Sequence, residues 1–161
     1  MRKPTAIVFF IVLSGCASQR LTRDPLCQEL AAFANAARPG ETHVVSLETA
    51  WGPTRNAPDA LSSLACLDGG YPAGARLCRY LLKNSATEFP TNNFHAAFAC
   101  LSGVPQQTKN FVTYERLEAR VSANGAVGVR EQVEVWLEFK PNTVTGTMQL
   151  DIGVTAAPAA Q

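Results

Sequence analysis

The sequence predicts an α+β fold in which helices, two of them forming a disulfide-tied hairpin, pack on one face of a small antiparallel sheet. Three observations support this prediction. Apolar residues recur at helical spacing in several earlier segments, they alternate with polar residues near the end, and all five cysteines lie within the first two thirds. The alternating runs at the end predict a C-terminal three-stranded meander.

The first fifteen residues have the three parts of an export signal. Arg2 and Lys3 form a positive region, an unbroken apolar run covers residues 6–13, and Ser14 and Gly15 provide an exit of small residues. A bilayer crossing needs about 20 apolar residues, so this run is too short to be a transmembrane helix.

The residues Leu13, Ser14, Gly15 and Cys16 resemble the lipobox of bacterial lipoproteins. The resemblance covers about the first sixteen residues, and we recognise no family in the rest. It implies cleavage before Cys16, acylation of the cysteine with fatty acyl chains such as palmitate, and, because Ala17 follows instead of aspartate, sorting to the outer membrane facing the periplasm. Two or three chains hold a protein stably in a bilayer. The alternative is a soluble secreted protein cut nearby.

The remaining chain is expected to form one globular domain. We predict a signal peptide in residues 1–15, a lipidated cysteine and tether in 16–23, an α+β domain in 24–155 and a disordered tail in 156–161. Of 14 basic residues two leave with the signal, so 12 remain against 13 acidic residues. This balance gives no electrostatic basis for binding nucleic acid.

The helices are predicted from caps and spacing. Asp24 and Pro25 suit the N-cap and first position of a helix that ends before Pro39. Alternation in residues 42–51 predicts a strand. Three further helices are predicted, over residues 60–67, 72–84 and 90–102, and the last two form an antiparallel hairpin.

Four cysteines remain for the domain once Cys16 is assigned to lipid. An even number in an exported domain predicts disulfides, and four cysteines allow three connectivities. Because Cys78 and Cys100 are equally far from the midpoint of the hairpin, we pair them, which leaves Cys27 with Cys66. Their spacings contain no CxxC pair, so we expect no metal and no cofactor.

The meander carries a candidate binding patch. A three-residue turn at residues 123–125 would set Glu118 opposite Arg130, and a turn at residues 140–143 would pair Phe139 with Val144. Val112 would then lie opposite Trp136. Exposed aromatic and arginine side chains are frequent in protein-binding surfaces. The predicted patch consists of Trp136, Tyr114, Val112, Arg116 and Arg130; the alternative is that another segment covers these aromatic residues as core.

Few residues are candidates for catalysis. His43 and His95 are more simply surface or core residues, since no G-x-S-x-G motif accompanies them. Glu115 and Glu131 fall on the apolar side of the predicted sheet and could act as an acid and base pair in glycoside cleavage. The alternative places them at the sheet margin or pairs them with the basic stripe of one helix, which consists of Arg76, Arg79 and Lys83.

Three functions compete. The leading hypothesis is a membrane-anchored, non-enzymatic protein-binding module of the cell envelope, with an inhibitor or immunity protein as its sharper form. The second is a structural or assembly accessory of the envelope. The third is a cell-wall hydrolase that uses Glu115 and Glu131. The expected partners are the bilayer, through Cys16, and a protein of the envelope.

Overall fold

The computed structural model describes residues 21–104 and 118–159. In chain order, the helices and strands of these residues are α1 (Pro25–Ala36), β1 (Thr42–Trp51), β2 (Ser62–Leu67), α2 (Pro72–Asn84), α3 (Pro90–Ser102), β3 (Ala119–Asn124), β4 (Val133–Asn142) and β5 (Thr147–Ala156). The helices pack against an antiparallel sheet whose last three strands form a meander. The predicted fold class is therefore confirmed.

The sheet has the strand order β2-β1-β5-β4-β3. The first strand, β1, inserts beside β5 and so joins the N-terminal half of the chain to the meander. Alternate residues of the central strands point towards the helices and form the core, in which Leu47, Leu137 and Ile152 have no exposed surface. The opposite side of the sheet is not covered by any of the described elements.

The helices begin where the sequence predicts. The Asp24 carboxylate accepts hydrogen bonds from the backbone N–H groups of Leu26 and Cys27, at 2.9 and 3.3 Å, and Pro25 follows it. This carboxylate satisfies donors that a helix start leaves unpaired. At the other end, α3 stops at Gly103, whose φ of 69° suits a residue without a side chain.

The prediction of a helix over residues 60–67 is wrong, because residues 62–67 of this segment form strand β2. It pairs with β1 from Ser46 opposite Leu67 to Trp51 opposite Ser62. Six residues are too few for spacing to distinguish a helix from a strand, and the ladder with β1 decides the outcome.

The predicted disulfide pairing is also wrong, although all four cysteines are bonded. Cys27 pairs with Cys100, and Cys66 pairs with Cys78. Two causes account for this. Helix α1 packs against both α2 and α3, which brings Cys27 to α3, and residue 66 lies in a strand beneath α2.

The predicted register of the meander is shifted. The prediction set Glu118 opposite Arg130, but the ladder between β3 and β4 runs from Asn124 opposite Glu134 to Ala119 opposite Phe139, so that Ser122 lies opposite Trp136. Residues 125–132 connect the strands and bond to the helices instead: Val127 N–H donates to the Cys100 carbonyl at 3.1 Å and Asn35 Nδ2 to the Gly128 carbonyl at 2.8 Å. Both registers pair odd residues with odd, so the predicted inner face of β4 is correct.

Two smaller boundaries differ from prediction. Phe139 pairs with Leu150 and not with Val144, since the turn between β4 and β5 covers residues 143–146. At the chain ends, Leu21 of the predicted tether is buried against the helices, and β5 continues to Ala156, the first residue of the predicted tail.

Candidate functional site

The outer sheet face is the side of the sheet that points away from the helices. Alternation along each strand places polar, charged and aromatic side chains here. The members that interact with one another are Ser46 and Glu48 of β1, Arg120 and Ser122 of β3, Trp136, Glu138, Lys140 and Asn142 of β4, and Thr147, Gln149, Asp151 and Gly153 of β5.

Trp136 is the central aromatic residue of the outer sheet face. It lies between Ser122 of β3 and Gly153 of β5, and its indole occupies the space that a side chain at position 153 would need. The Arg120 guanidinium lies 5.2 Å from the centroid of the indole. The indole thus packs on the backbone of Gly153, and the Arg120 cation over its face is attracted by the aromatic ring.

A hydrogen-bond network crosses the same face around Asp151, whose side chain is only 8% exposed. Its Oδ1 accepts from Ser46 Oγ at 2.6 Å and from Gln149 Nε2 at 2.8 Å, and Lys140 Nζ lies 3.4 Å from Oδ2. Lys140 also donates to Glu138 at 3.0 Å. The bond to Glu138 first, and the charge of Asp151 after it, raise the pKa of Lys140.

A second group of hydrogen bonds extends this network along the sheet to Glu48 of β1 and Asn142 of β4. Asn142 Nδ2 donates to Glu48 at 3.1 Å and to Gln149 at 3.2 Å. Because each of these side chains is fixed by a neighbour, the face has a defined arrangement of charges before any partner arrives. Its described strand residues carry four carboxylates, from Glu48, Glu134, Glu138 and Asp151, and two cations, from Arg120 and Lys140.

The predicted patch is brought together only in part. Trp136 lies on the outer sheet face, but Arg130 lies in the connection to β4 and donates to the Ala37 carbonyl at 2.7 Å. Val112, Tyr114 and Arg116 lie outside the described residues, and Ser122 takes the place predicted for Val112.

Sequence reasoning missed Gly153 and Arg120 as neighbours of the indole. Cross-strand neighbours depend on the register. Each residue of β3 lies opposite a residue ten positions further along the chain than the predicted register had placed there. A glycine between Ile152 and Val154 was the available signal, because glycine inside a strand often marks the close approach of another group.

The residues considered for catalysis do not form a catalytic arrangement among those described. Glu131 is exposed in the connection between β3 and β4, so it lacks the apolar surroundings predicted for it, and Glu115 lies outside the described residues. His43 Nε2 is 3.1 Å from the Glu41 carboxylate, and its ring stacks on Tyr71 at 3.6 Å. Hydrogen bonds from the Arg38 backbone and His43 lower the pKa of Glu41.

The basic stripe of α2 has a structural partner. Arg76 makes two hydrogen bonds to Glu29 of α1, at 2.6 and 2.8 Å, and these bonds raise the pKa of the guanidinium. Arg79 and Lys83 are exposed on the same helix. At least Arg76 therefore connects two helices instead of pairing with Glu131, as one alternative had suggested.

One cluster of metal-type ligands occurs among the described residues, but its chemistry does not suit a metal. Asp24, Cys27 and Cys100 have ligand atoms within 4.8 Å of one another. The two sulfur atoms form a disulfide and the carboxylate caps α1. Thiolate ligands are therefore not offered here.

Two open clefts of about 420 Å³ each accompany these features. One lies between the three helices beside Leu21 and Tyr80, and the other lies at the end of the sheet beside Trp51 and Pro141.

No described helix has both the length and the apolar composition needed to cross a bilayer. Comparison of the chain with protein-family models, with curated proteins and with solved structures finds no match.

Proposed function

We propose that the chain is a lipoprotein of the bacterial cell envelope, anchored to the outer membrane through acylated Cys16 and facing the periplasm. Its folded part acts as a non-enzymatic module that binds a protein partner, and an inhibitor or immunity protein is the sharper form of this proposal. The observation that carries it is the arrangement of Trp136 and hydrogen-bonded charges on the outer sheet face.

The chemistry of this face favours a protein partner. Tryptophan and arginine are the side chains most enriched among residues that dominate binding energy, and Trp136 and Arg120 are adjacent. Side chains already fixed in the free protein lose little conformational entropy when a partner binds. The excess of carboxylates on the face complements a partner surface that is basic.

The expected location has independent support from the cysteines. Two disulfides join Cys27 to Cys100 and Cys66 to Cys78, and such bonds persist in oxidising compartments such as the periplasm. The fifth cysteine, Cys16, is then the one that the lipobox resemblance assigns to lipid. A non-enzymatic role agrees with the exposed position of Glu131 in the connection between β3 and β4.

A capture experiment with two tryptophan variants tests the proposal. Envelope extract is passed over the immobilised protein, and a stoichiometric partner that binds the wild type should bind Trp136→Ala at least about 30-fold more weakly, as for a residue that dominates an interface. Trp51→Ala is the matched control, because Trp51 is 62% exposed but lies at the end of β1 and off the outer sheet face.

The proposal fails if Trp136→Ala retains every partner of the wild type, or if Trp51→Ala loses the partner instead. Circular dichroism and the disulfide content of each variant establish that a loss of binding does not reflect a loss of folding.

A further inference from the structure

The edge strand β2 lacks the features that normally prevent an edge from pairing with another chain. It is the terminal strand of the sheet, and its six residues, Ser62–Leu67, include no charge and no proline. Natural sheets use charged side chains, prolines or bulges at such positions. Among the described residues no segment pairs with the free side of β2.

The backbone of β2 offers hydrogen-bonding groups to a further strand. Gly52 N–H donates to the Leu61 carbonyl at 2.7 Å, which fixes the phase of the ladder between β1 and β2. In an antiparallel pair, bonding towards a given neighbour alternates from residue to residue. The residues of β2 whose N–H and C=O groups point to the free edge are therefore Ser62, Leu64 and Cys66.

The edge is rigid and apolar. The disulfide between Cys66 and Cys78 links β2 covalently to α2 and so restricts movement of the strand away from the helix. Leu61, just before β2, and Leu67, its last residue, are 84% and 62% exposed, and both belong to the outer side of the sheet by alternation. Leu82 of α2 is also 43% exposed, and by helical spacing it lies on a different side of α2 from Arg76, which bonds to α1.

We propose that β2 pairs with β2 of a second copy of this chain, in an antiparallel arrangement around a two-fold axis through Leu64. In this register Leu64 lies opposite Leu64 of the second copy, and Ser62 lies opposite Cys66. All three residues with free backbone groups then find partners. The two five-stranded sheets become one continuous sheet.

The spacing of the exposed leucines favours a second copy as the occupant. The two-fold register places Leu61 of each copy opposite Leu67 of the other, so four exposed leucines are covered in two equivalent contacts, as two-fold symmetry requires. Because β2 has no charged residue, no like charges meet along the strand pair.

The orientation also fits attachment to one membrane. A two-fold axis perpendicular to the sheet keeps both helix layers on the same side, and Leu21 lies in that layer, where it lines a cleft with residues of all three helices. Both chains could therefore reach a common bilayer, with both outer sheet faces turned the other way. Attachment to a shared surface raises the effective concentration of the copies. Only this point depends on the proposed anchor.

Two double variants of the full chain test the register. Leu61→Lys with Leu67→Lys places lysines opposite each other in both contacts, whereas Leu61→Lys with Leu67→Glu places each lysine opposite a glutamate of the other copy. Within one copy the two positions are six residues apart along a strand and do not meet. Sedimentation equilibrium of the purified chain in density-matched detergent measures the dimer dissociation constant.

We expect the wild type to dimerise, and the lysine–lysine variant to dimerise at least about tenfold more weakly than the lysine–glutamate variant, because both variants lose the leucines and only the first sets like charges opposite each other. Circular dichroism confirms that both variants are folded. A wild type that stays monomeric at the highest concentration reached overturns the proposal. So does equal association of the two variants, because lipid-driven association would not distinguish them.

Discussion

At the scale of single residues, Gly153 determines how Trp136 is seated on the outer sheet face. The indole lies where a Cβ atom of residue 153 would be. Gly153→Ala should lower the free energy of unfolding by about 1–3 kcal/mol, because the added methyl group forces a well-packed ring to move. Urea denaturation followed by tryptophan fluorescence measures both the loss of stability and the displacement of the ring.

A double-mutant cycle supplies the control for this prediction. In the Trp136→Ala background the methyl group at position 153 meets no indole, so Gly153→Ala should cost much less there than in the wild type. Equal costs in the two backgrounds would mean that the collision with the indole is not the cause.

Tyr71 is a second residue with a measurable energetic effect. Its hydroxyl is buried and has no hydrogen-bond partner among the described residues, while its ring stacks on His43. Tyr71→Phe keeps the ring and removes the unpaired group, so the free energy of unfolding at pH 7 should rise by about 1 kcal/mol. Tyr80→Phe is the control, because the Tyr80 hydroxyl is not a buried unpaired group and no gain is expected.

The same variant should change the response to alkaline pH. Burial first, and the charge of Glu41 second, raise the pKa of Tyr71 above 10.0. When a tyrosine has a higher pKa in the folded than in the unfolded state, its contribution to stability is fully present below the unfolded-state pKa. This contribution is lost as the pH rises through the folded-state pKa. Urea denaturation between pH 8 and 11 should therefore show a smaller alkaline loss for Tyr71→Phe than for the wild type, and an identical loss would contradict the prediction.

At the scale of elements, the two disulfides restrict loops of very different length. Cys27 and Cys100 are 73 residues apart, whereas Cys66 and Cys78 are 12 apart. Closing these loops in the unfolded chain corresponds to about 4 and about 3 kcal/mol of stability. Replacing Cys27 and Cys100 by alanine should thus be the more damaging of the two paired replacements, as measured by urea denaturation without reductant. A larger loss from the shorter loop would show that it restrains a structured unfolded state.

The elements also show what the sequence could predict. Helix α1 was predictable because Asp24 and Pro25 act locally, and β1 because ten residues alternate. Strand β2 was not, since six apolar and small residues suit either structure until β1 lies beside them. The face of β4 followed from a period of two, but its register depended on bonds from residues 125–132 to the helices, which no local pattern encodes.

In the candidate site, too, the face on which a residue lies was predictable from the sequence, but its neighbours on other strands were not. The position of Trp136 among alternating residues placed it correctly on the outer side of the sheet. Its neighbours Arg120 and Gly153 follow from register, and the buried carboxylate of Asp151 depends on partners from β1, β4 and β5 together. Contacts among three strands are a property of the assembled sheet, so they could not be read from one strand at a time.

At the scale of the whole molecule, the layers separate the predicted attachment from the predicted binding surface. Leu21, which belongs to the predicted tether, lies in the helix layer, and the outer sheet face lies on the other side of the sheet. A partner could therefore contact the outer sheet face while the protein remains attached. Because Cys16 takes part in neither disulfide, we also expect lipid attachment and folding to be independent of each other.

Cys16→Ser tests that independence. Cys16 belongs to neither disulfide, so the variant should form both disulfides and unfold at the same urea concentration as the wild type, yet incorporate no labelled palmitate in growing cells. Cys27→Ser is the matched control: it should incorporate palmitate normally but lose stability, because Cys100 is left unpaired. Palmitate on the Cys16→Ser chain, or failure of that chain to fold, would mean that the roles of the five cysteines are divided differently.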